Sequence, residues 1–137
     1  MRVLLIVVAI VLTLPVLLFL VGWDSMRRND RRLTEFSEQL FAYPLPPDSR
    51  ILRQTAQVGV LTGNGNHCDY VARLEIESSL PPAAVDAHYQ ELRLHPAVGN
   101  GAGGGLPAVT VESQGPGRVA ITATDAPYPA GLDTRCH

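Results

Sequence analysis

The sequence contains no lysine, and all 11 of its basic residues are arginine. The chain therefore cannot form a Schiff base through a lysine amine, and it lacks the lysine of a nucleotide-binding phosphate loop. CxxC and HExxH motifs, a serine in a nucleophile elbow and a paired-carboxylate motif are absent as well. We therefore predict no catalytic residues and no cofactor, and a small metal-dependent enzyme is the least favoured alternative.

An excess of positive charge is also lacking, since the formal net charge is −2 at pH 7. Nucleic-acid-binding domains usually carry a basic patch or stripe, so no nucleic-acid partner is expected. The arginines form one cluster, directly after the apolar N-terminus: Arg27, Arg28, Arg31 and Arg32. Basic side chains at such a position meet the headgroups of lipids, so a bilayer is the expected partner.

Residues 3–23 form a long apolar run without a charged side chain. As a helix rising about 1.5 Å per residue, the run is roughly 30 Å long, which matches the hydrocarbon layer of a bilayer. We predict a single transmembrane helix over residues 1–24, with Trp23 and the arginine cluster at the membrane interface. A cleaved secretory signal is the alternative, although the run exceeds the usual apolar core of about 7–15 residues and no Ala-x-Ala site follows it.

The chain has 2 cysteines, Cys68 and Cys136. An even count in a small domain favours a disulfide, and disulfides persist outside the cytoplasm. Closing a loop of this size stabilises a domain by about 4 kcal/mol in the chain-entropy model. The positive-inside rule favours the opposite orientation, because Arg2 precedes the apolar run and the arginine cluster follows it. We expect the disulfide and an extracytoplasmic domain, with free thiols as the alternative.

Residues 25–48 join the apolar run to the C-terminal part of the chain. Apolar residues recur there at helical spacing: Leu33, Phe36, Leu40 and Phe41. This pattern predicts a short amphipathic helix, with a solvated stalk as the alternative. Prolines at positions 44, 46 and 47 then favour an extended linker. The folded domain is expected over residues 49–137.

Two alternating runs, residues 52–60 and 68–76, have most of their apolar residues at even positions. Both patterns predict strands with one buried and one wet face. Directly opposed residues of an antiparallel pair share a face, so the numbers of opposed residues must add up to an even total. This parity selects the loop that joins the strands.

The predicted hairpin loop consists of Gly63, Asn64 and Gly65. This three-residue loop sets Val58 opposite Tyr70 and Val60 opposite Cys68, so that apolar side chains meet. Its last residue needs the left-handed backbone region, which glycine adopts without strain. The glycines therefore have a structural explanation, and a phosphate-binding loop would instead need a helix to begin directly after them.

The C-terminal half completes a ββαββ order. Residues 83–94 predict a helix ended by Pro96, with Val85, Tyr89 and Leu92 on one face. Residues 97–107 form a glycine-rich loop that we expect to be mobile. Apolar residues at odd positions in residues 109–123 then predict a second hairpin. We predict an α+β fold, in which one helix covers one face of a largely antiparallel four-stranded sheet.

Potential metal ligands occur in two places. His67, Cys68 and Asp69 are consecutive, and Cys136 and His137 end the sequence. Successive strand residues point to opposite faces, so neighbours share a metal ion only where the strand is distorted. The spacing fits no standard zinc pattern, and metal binding ranks below a disulfide and free thiols.

A second group of ionisable residues lies in the predicted helix of residues 83–94 and just after it. His88 and His95 are nominally two helical turns apart on one face, with Glu91 between them. We interpret this group as a surface His–Glu arrangement, with a general base or ligand site as the alternative.

Residues 44–92 carry a further pattern of turn and aromatic residues: Leu45-Pro46, Gly59, Gly63-Asn64-Gly65-Asn66, Asp69-Tyr70, Ser79 and His88-Tyr89. This pattern, most specific in its glycine–asparagine run, resembles a domain of small uncharacterised bacterial proteins with an N-terminal membrane or lipid anchor. No activity is assigned to that family, so no catalytic residues are implied. The resemblance implies a bacterial membrane anchor and an external domain.

An anchor, a proline-rich linker and a small sheet without a catalytic set favour a binding or accessory module with an unidentified protein partner. The alternative is a cytoplasmic-facing subunit of a membrane complex, with the arginine cluster on anionic lipid.

Overall fold

The computed structural model describes residues 2–99 and 106–137, and for residues 2–9 it describes the backbone alone. A long helix precedes a ββαββ unit. The elements are α1 (Arg2–Phe41), β1 (Ser49–Gly59), β2 (His67–Ser78), α2 (Pro82–Tyr89), β3 (Ala108–Gly115), β4 (Arg118–Pro129) and a C-terminal 3₁₀ turn (Thr134–Cys136). The predicted α+β class and element order are confirmed.

The four strands form one antiparallel sheet in the order β1-β2-β4-β3. Its buried face is centred on β2 and β4, where Leu74 lies opposite Ile121 and Ala72 lies opposite Ala123. These four side chains are fully buried. Alternate residues of β2 point to the other, partly exposed face. The period-2 pattern of the sequence therefore sets which face becomes the core.

Helix α1 is continuous from residue 2 to residue 41 and includes Pro15. Its C-terminal half packs on the sheet, where Phe36 and Leu40 are fully buried and Leu33 and Phe41 pack against the core. The predicted amphipathic helix is therefore part of the core, in addition to α2, and the alternative of a solvated stalk is wrong. The packed unit includes residues before the predicted boundary at residue 49.

The predicted helix over residues 83–94 is too long, because α2 ends at Tyr89. The chain beyond α2 pairs with α1 instead: the His95 backbone N–H donates to Gln39 Oε1 at 2.6 Å, and Gln39 Nε2 donates to the His95 carbonyl at 3.2 Å. Leu92 and Leu94 still pack against the core. This tertiary contact overrides the helical preference of the local sequence.

The glycine-rich stretch of residues 97–107 is only partly described, and residues 100–105 of the predicted mobile loop lie outside the described residues. The beginning of the stretch is held in place, because the Ala97 backbone N–H donates to Asp125 Oδ2 at 2.7 Å. The Tyr128 hydroxyl donates to the same oxygen at 2.8 Å. Burial raises the pKa of Tyr128 to about 12, so the hydroxyl keeps its proton at neutral pH.

We expect Gly59→Ala to destabilise the protein by about 1–3 kcal/mol through overpacking. A Cβ at Gly59 would lie 3.0 Å from the backbone oxygen of Arg135, and this oxygen accepts a hydrogen bond from the Val60 N–H at 3.1 Å. Denaturant unfolding of the full chain in detergent measures the effect. The matched control is Gly99→Ala, whose Cβ would meet no atom of the described residues within 4 Å. Equal stabilities of the two variants would contradict the close contact.

Candidate functional site

Exposed apolar side chains predominate over residues 10–23 of α1. Among the described residues, one helix, within Ile10–Phe41, is long and apolar enough to cross a membrane. Its most apolar stretch is not buried in the structure. Large apolar side chains are exposed there by 47% to 67%: Ile10, Val11, Leu12, Leu14, Val16, Leu17, Leu18, Phe19, Leu20, Val21 and Trp23. Soluble monomers rarely expose such a continuous apolar surface, so this helix indicates membrane association. A secretory signal has the same composition.

Aromatic and cationic side chains mark the end of this apolar segment. The rings of Phe19 and Trp23 stack with their centroids 6.1 Å apart. The Arg27 guanidinium lies 5.2 Å from the centroid of the Trp23 ring, a cation–π distance. An amphipathic tryptophan followed by a cation is the order found where a helix leaves the hydrocarbon layer.

The other predicted interface arginines have different surroundings. Arg28 forms an exposed ion pair with Asp24 at 3.1 Å, and Arg31 is exposed. Arg32 is partly buried and donates to Asn29 Oδ1 at 3.3 Å. Arg32 therefore contributes to the folded domain as well as to the cluster.

Beyond the arginines, α1 turns a buried polar side chain toward the sheet. Asn29 is only 6% exposed. Its Nδ2 donates to Asp133 Oδ2 at 2.9 Å, and its Oδ1 accepts from the Tyr70 hydroxyl at 2.9 Å. Burial raises the pKa of Tyr70, so the phenol keeps the proton that it donates. A buried amide is costly unless it is hydrogen-bonded, so these bonds fix α1 against β2 and the C-terminal tail.

An arginine of the tail extends this network. Arg135 donates to both carboxylate oxygens of the fully buried Asp133, through Nη2 at 2.7 Å and Nε at 3.0 Å. The same guanidinium donates to Asp30 Oδ1 at 2.7 Å and to the Met26 carbonyl at 3.3 Å. Hydrogen bonds from Arg135 hold the pKa of Asp133 at about 2, below its usual range, against the opposing effect of burial. We call Asn29, Asp30, Asp133 and Arg135 the helix–tail clamp.

A disulfide between Cys68 and Cys136 also attaches the tail to the sheet. The Cα atoms are 4.8 Å apart, and both residues are buried. The bond joins the beginning of β2 to the residue after Arg135. The clamp side chain of Arg135 is therefore held in register with the sheet by a covalent link one residue away.

The structure does not assemble the metal site that was considered as an alternative. Cys68 and Cys136 are bonded to each other, so neither offers a thiolate ligand. His67 and Asp69 take part in the hairpin, and the His137 ring lies near the Gly131 carbonyl at 3.2 Å. Within the described part of the chain, no group of three His, Cys, Asp or Glu side chains is placed to hold a metal ion.

The first hairpin is longer than predicted. β1 ends at residue 59 and β2 begins at residue 67, so residues 60–66 lie outside the ladder. Val58 lies opposite Tyr70, the register that parity selected. Val60 does not pair with Cys68, because its N–H donates to the Arg135 carbonyl instead. The contact with the tail thus makes the loop longer than the predicted Gly63, Asn64 and Gly65. Within the loop, Gly63 and Gly65 have positive φ angles of +66° and +115°.

A buried carboxylate holds the widened loop. Asp69 Oδ2 accepts from the backbone N–H groups of Leu61 and Thr62 at 3.0 and 2.7 Å and from the Thr62 hydroxyl at 2.8 Å. His67 Nε2 lies 2.6 Å from the Thr62 carbonyl, which only accepts, so this nitrogen carries the proton. His67 and Asp69 therefore act as loop-holding groups in this geometry.

The histidines near α2 do not form one site. His88 Nε2 lies 2.8 Å from the Pro44 carbonyl and must donate to it. His95 lies beyond the end of α2 and contacts Gln39 through its backbone. The helical face that would have placed Glu91 between the two rings does not exist.

The helix–tail clamp was not predicted from the sequence. One signal was present: Asn29 continues the helical spacing of Leu33, Phe36 and Leu40, so a polar residue stands in an apolar stripe. Asp133 and Arg135 lie in an irregular tail without a pattern of their own.

Comparison of the chain with protein-family models, with curated proteins and with solved structures gives no match. The geometry alone therefore defines the molecule as an exposed apolar N-terminal helix clamped to a small disulfide-containing β domain.

We expect Asp133→Asn to lower the free energy of unfolding at pH 7 by about 2 kcal/mol, the linkage value of a carboxyl pKa lowered from 3.8 to about 2. Because the folded-state pKa is depressed, this stabilisation is complete above pH 4 and is lost as the pH falls toward 2. Denaturant unfolding of the full chain in detergent, from pH 7 to pH 2, measures the effect of the substitution on the free energy of unfolding and its dependence on pH.

The control for this prediction is Asp24→Asn, which removes a carboxylate from an exposed ion pair. Exposed pairs on helices contribute about 0.3–0.5 kcal/mol, so little change is expected at any pH. The difference in the free energy of unfolding between the wild type and Asp133→Asn should shrink toward pH 2. A difference that stays constant down to pH 2 would contradict the role of the ionised carboxylate.

Proposed function

We propose that this protein is a single-pass membrane protein, whose N-terminal helix over residues 1–24 stays in the bilayer and carries a non-catalytic binding or accessory module outside the cytoplasm. One observation carries the proposal: α1 is a single helix that exposes large apolar side chains over residues 10–23 and whose C-terminal half is clamped into the domain. A soluble protein would expose this apolar surface to water at a large cost in free energy.

The continuity of α1 supports retention of the apolar segment over its removal as a signal. No break or extended stretch separates the exposed half of α1 from the packed half. Met26 and Asn29 already contact the tail, so a cut after Trp23 would fall within a helix and directly beside the clamp. The resemblance of residues 44–92 to anchored bacterial proteins points to the same attachment, in the plasma membrane of a bacterium.

The disulfide supports an extracytoplasmic domain. Cytoplasmic thiols are kept reduced, whereas Cys68 and Cys136 are bonded and buried. The arginine cluster favours the alternative, a cytoplasmic-facing subunit of a membrane complex, through the positive-inside rule. A labelling experiment separates the two orientations.

The exposed edge of the sheet supports a binding role for the module. β1 pairs only with β2 and forms one edge, and most side chains in its first half are exposed. The outer backbone groups of an edge strand pair with an extended segment of another protein in strand addition. We infer that the unidentified protein partner contacts this edge.

We expect the full-length chain, with its first residues intact by mass, to remain in the membrane pellet after alkaline carbonate extraction and to enter solution with detergent. An apolar helix in the hydrocarbon layer is not released by removing ionic contacts. Recovery of an intact chain in the soluble fraction would contradict the anchor, and recovery of a chain that begins near residue 24 would identify a cleaved signal.

We expect Gln114→Cys to react with a membrane-impermeant maleimide in intact cells as fully as after lysis. Gln114 lies exposed near the turn between β3 and β4, so the new thiol is accessible without disturbing the core. The wild-type protein is the matched control and should stay unlabelled without reductant, because both of its cysteines are bonded. Labelling of Gln114→Cys only after lysis would place the domain in the cytoplasm, and labelling of the lysed wild type would contradict the disulfide.

A further inference from the structure

An apolar groove of about 420 Å³ lies between α1 and the turn that follows β4. Leu18, Phe19, Trp23 and Met26 line it from the helix, and Leu132 lines it from the tail. The groove is separate from the core of the sheet. It continues the exposed apolar surface of α1 along the side of the helix that faces the tail.

Leu132 is 57% exposed, although the chain around it is held in place. Its neighbour Asp133 is bonded to Asn29 and Arg135 in the clamp. Its own backbone oxygen lies 3.8 Å from the position of a Cβ at Gly22, so the turn rests against the helix. The clamp therefore holds a large apolar side chain in the open, beside the last turn of the apolar segment.

Along α1, the side chains at the groove change from apolar to aromatic to cationic. A phospholipid changes in the same order, from its acyl chains to its phosphate. Leu18 and Phe19 form its end toward the apolar segment. Trp23 follows, and the guanidinium of Arg27, one helical turn further along α1, lies over the Trp23 ring beside the groove. Acyl chains, the interface and an anionic or zwitterionic phosphate meet apolar, aromatic and cationic side chains in this sequence.

We propose that the groove takes an acyl chain of a bilayer phospholipid and that Leu132 is a second membrane contact, at the depth of Trp23. The proposal rests on the proposed function, because it requires α1 to lie in a bilayer. The domain then sits directly on the membrane, since the clamp leaves no flexible stalk between them. The disulfide and the first hairpin face the lipid surface, and the turn between β3 and β4 points away from it.

Trp23 is the only tryptophan of the chain and serves as the probe. The full-length protein is reconstituted in phosphatidylcholine vesicles with bromine on the acyl chains, which quenches tryptophan at chain depth. We expect strong quenching of the wild type. In the double variant W23F/L132W the tryptophan moves to the tail, and we expect quenching within about twofold of the wild type, because both positions lie at the interface.

The matched control is W23F/L52W. Leu52 is 40% exposed, and it lies in β1 at the far end of the sheet from the clamp. We expect no quenching of this variant by chain bromines. A further variant keeps Trp23 as the probe: Leu132→Asp places a charge in the groove, and we expect it to reduce the quenching of Trp23 by about twofold through exclusion of the acyl chain. The fold of each variant is checked through its disulfide: Cys68 and Cys136 should not react with a maleimide before reduction.

The outcomes separate the two proposals. An unquenched wild type overturns the anchor and with it the proposed function. A quenched wild type with an unquenched W23F/L132W overturns the lipid groove alone and leaves the anchor in place. An unquenched W23F/L132W that is also dimeric in detergent assigns the groove to a second copy of the chain. Quenching of W23F/L52W contradicts the proposed seating of the domain, and unchanged Trp23 quenching in Leu132→Asp contradicts the acyl chain in the groove.

Discussion

The buried hydrogen bonds between Asn29 and Asp133 and between Arg135 and Asp133 are the interaction on which the rest of the arrangement depends. The bond between Asn29 and Asp133 joins a helix and a tail that are 104 residues apart in sequence. A buried carboxylate is stable only when its charge is compensated, and Arg135 does this with two hydrogen bonds while also reaching Asp30 on the helix. Since removal of any partner leaves a buried polar group unsatisfied, helix and tail are held as one unit.

This clamp joins two different kinds of surface along one helix. Residues 10–23 of α1 expose large apolar side chains, whereas the part after Asn29 contributes Phe36 and Leu40 to the core. A flexible linker would let the domain sample a large volume around its anchor. In the proposed membrane arrangement, a continuous helix fixed at its base restricts both the height and the orientation of the domain, so a partner would meet the β1 edge at one distance from the membrane.

Parity and periodicity predicted much of the fold because they depend on residues close together in the sequence. Alternation identified the strands, the even sum identified the pairing of Val58 with Tyr70, and the apolar run identified the N-terminal helix. The errors occurred where distant residues compete with the local pattern. Gln39 binds the chain at His95 and ends α2 early, and the Arg135 carbonyl binds Val60 and widens the first hairpin. Neither competitor lies within the segment that it alters, so no pattern within that segment reveals it.

The α+β class, the apolar N-terminal helix and the presence of two cysteines that can form a disulfide were predictable from the sequence, because hydrophobic period and composition act within single elements. Three features are seen in the folded chain alone: the two cysteines are bonded, Asn29 is a clamp residue and not a solvated one, and Leu132 is held beside the apolar helix. These features depend on which parts of the chain meet in space. The compensation of buried charge and the packing of the tail select them, and both are properties of the assembled fold.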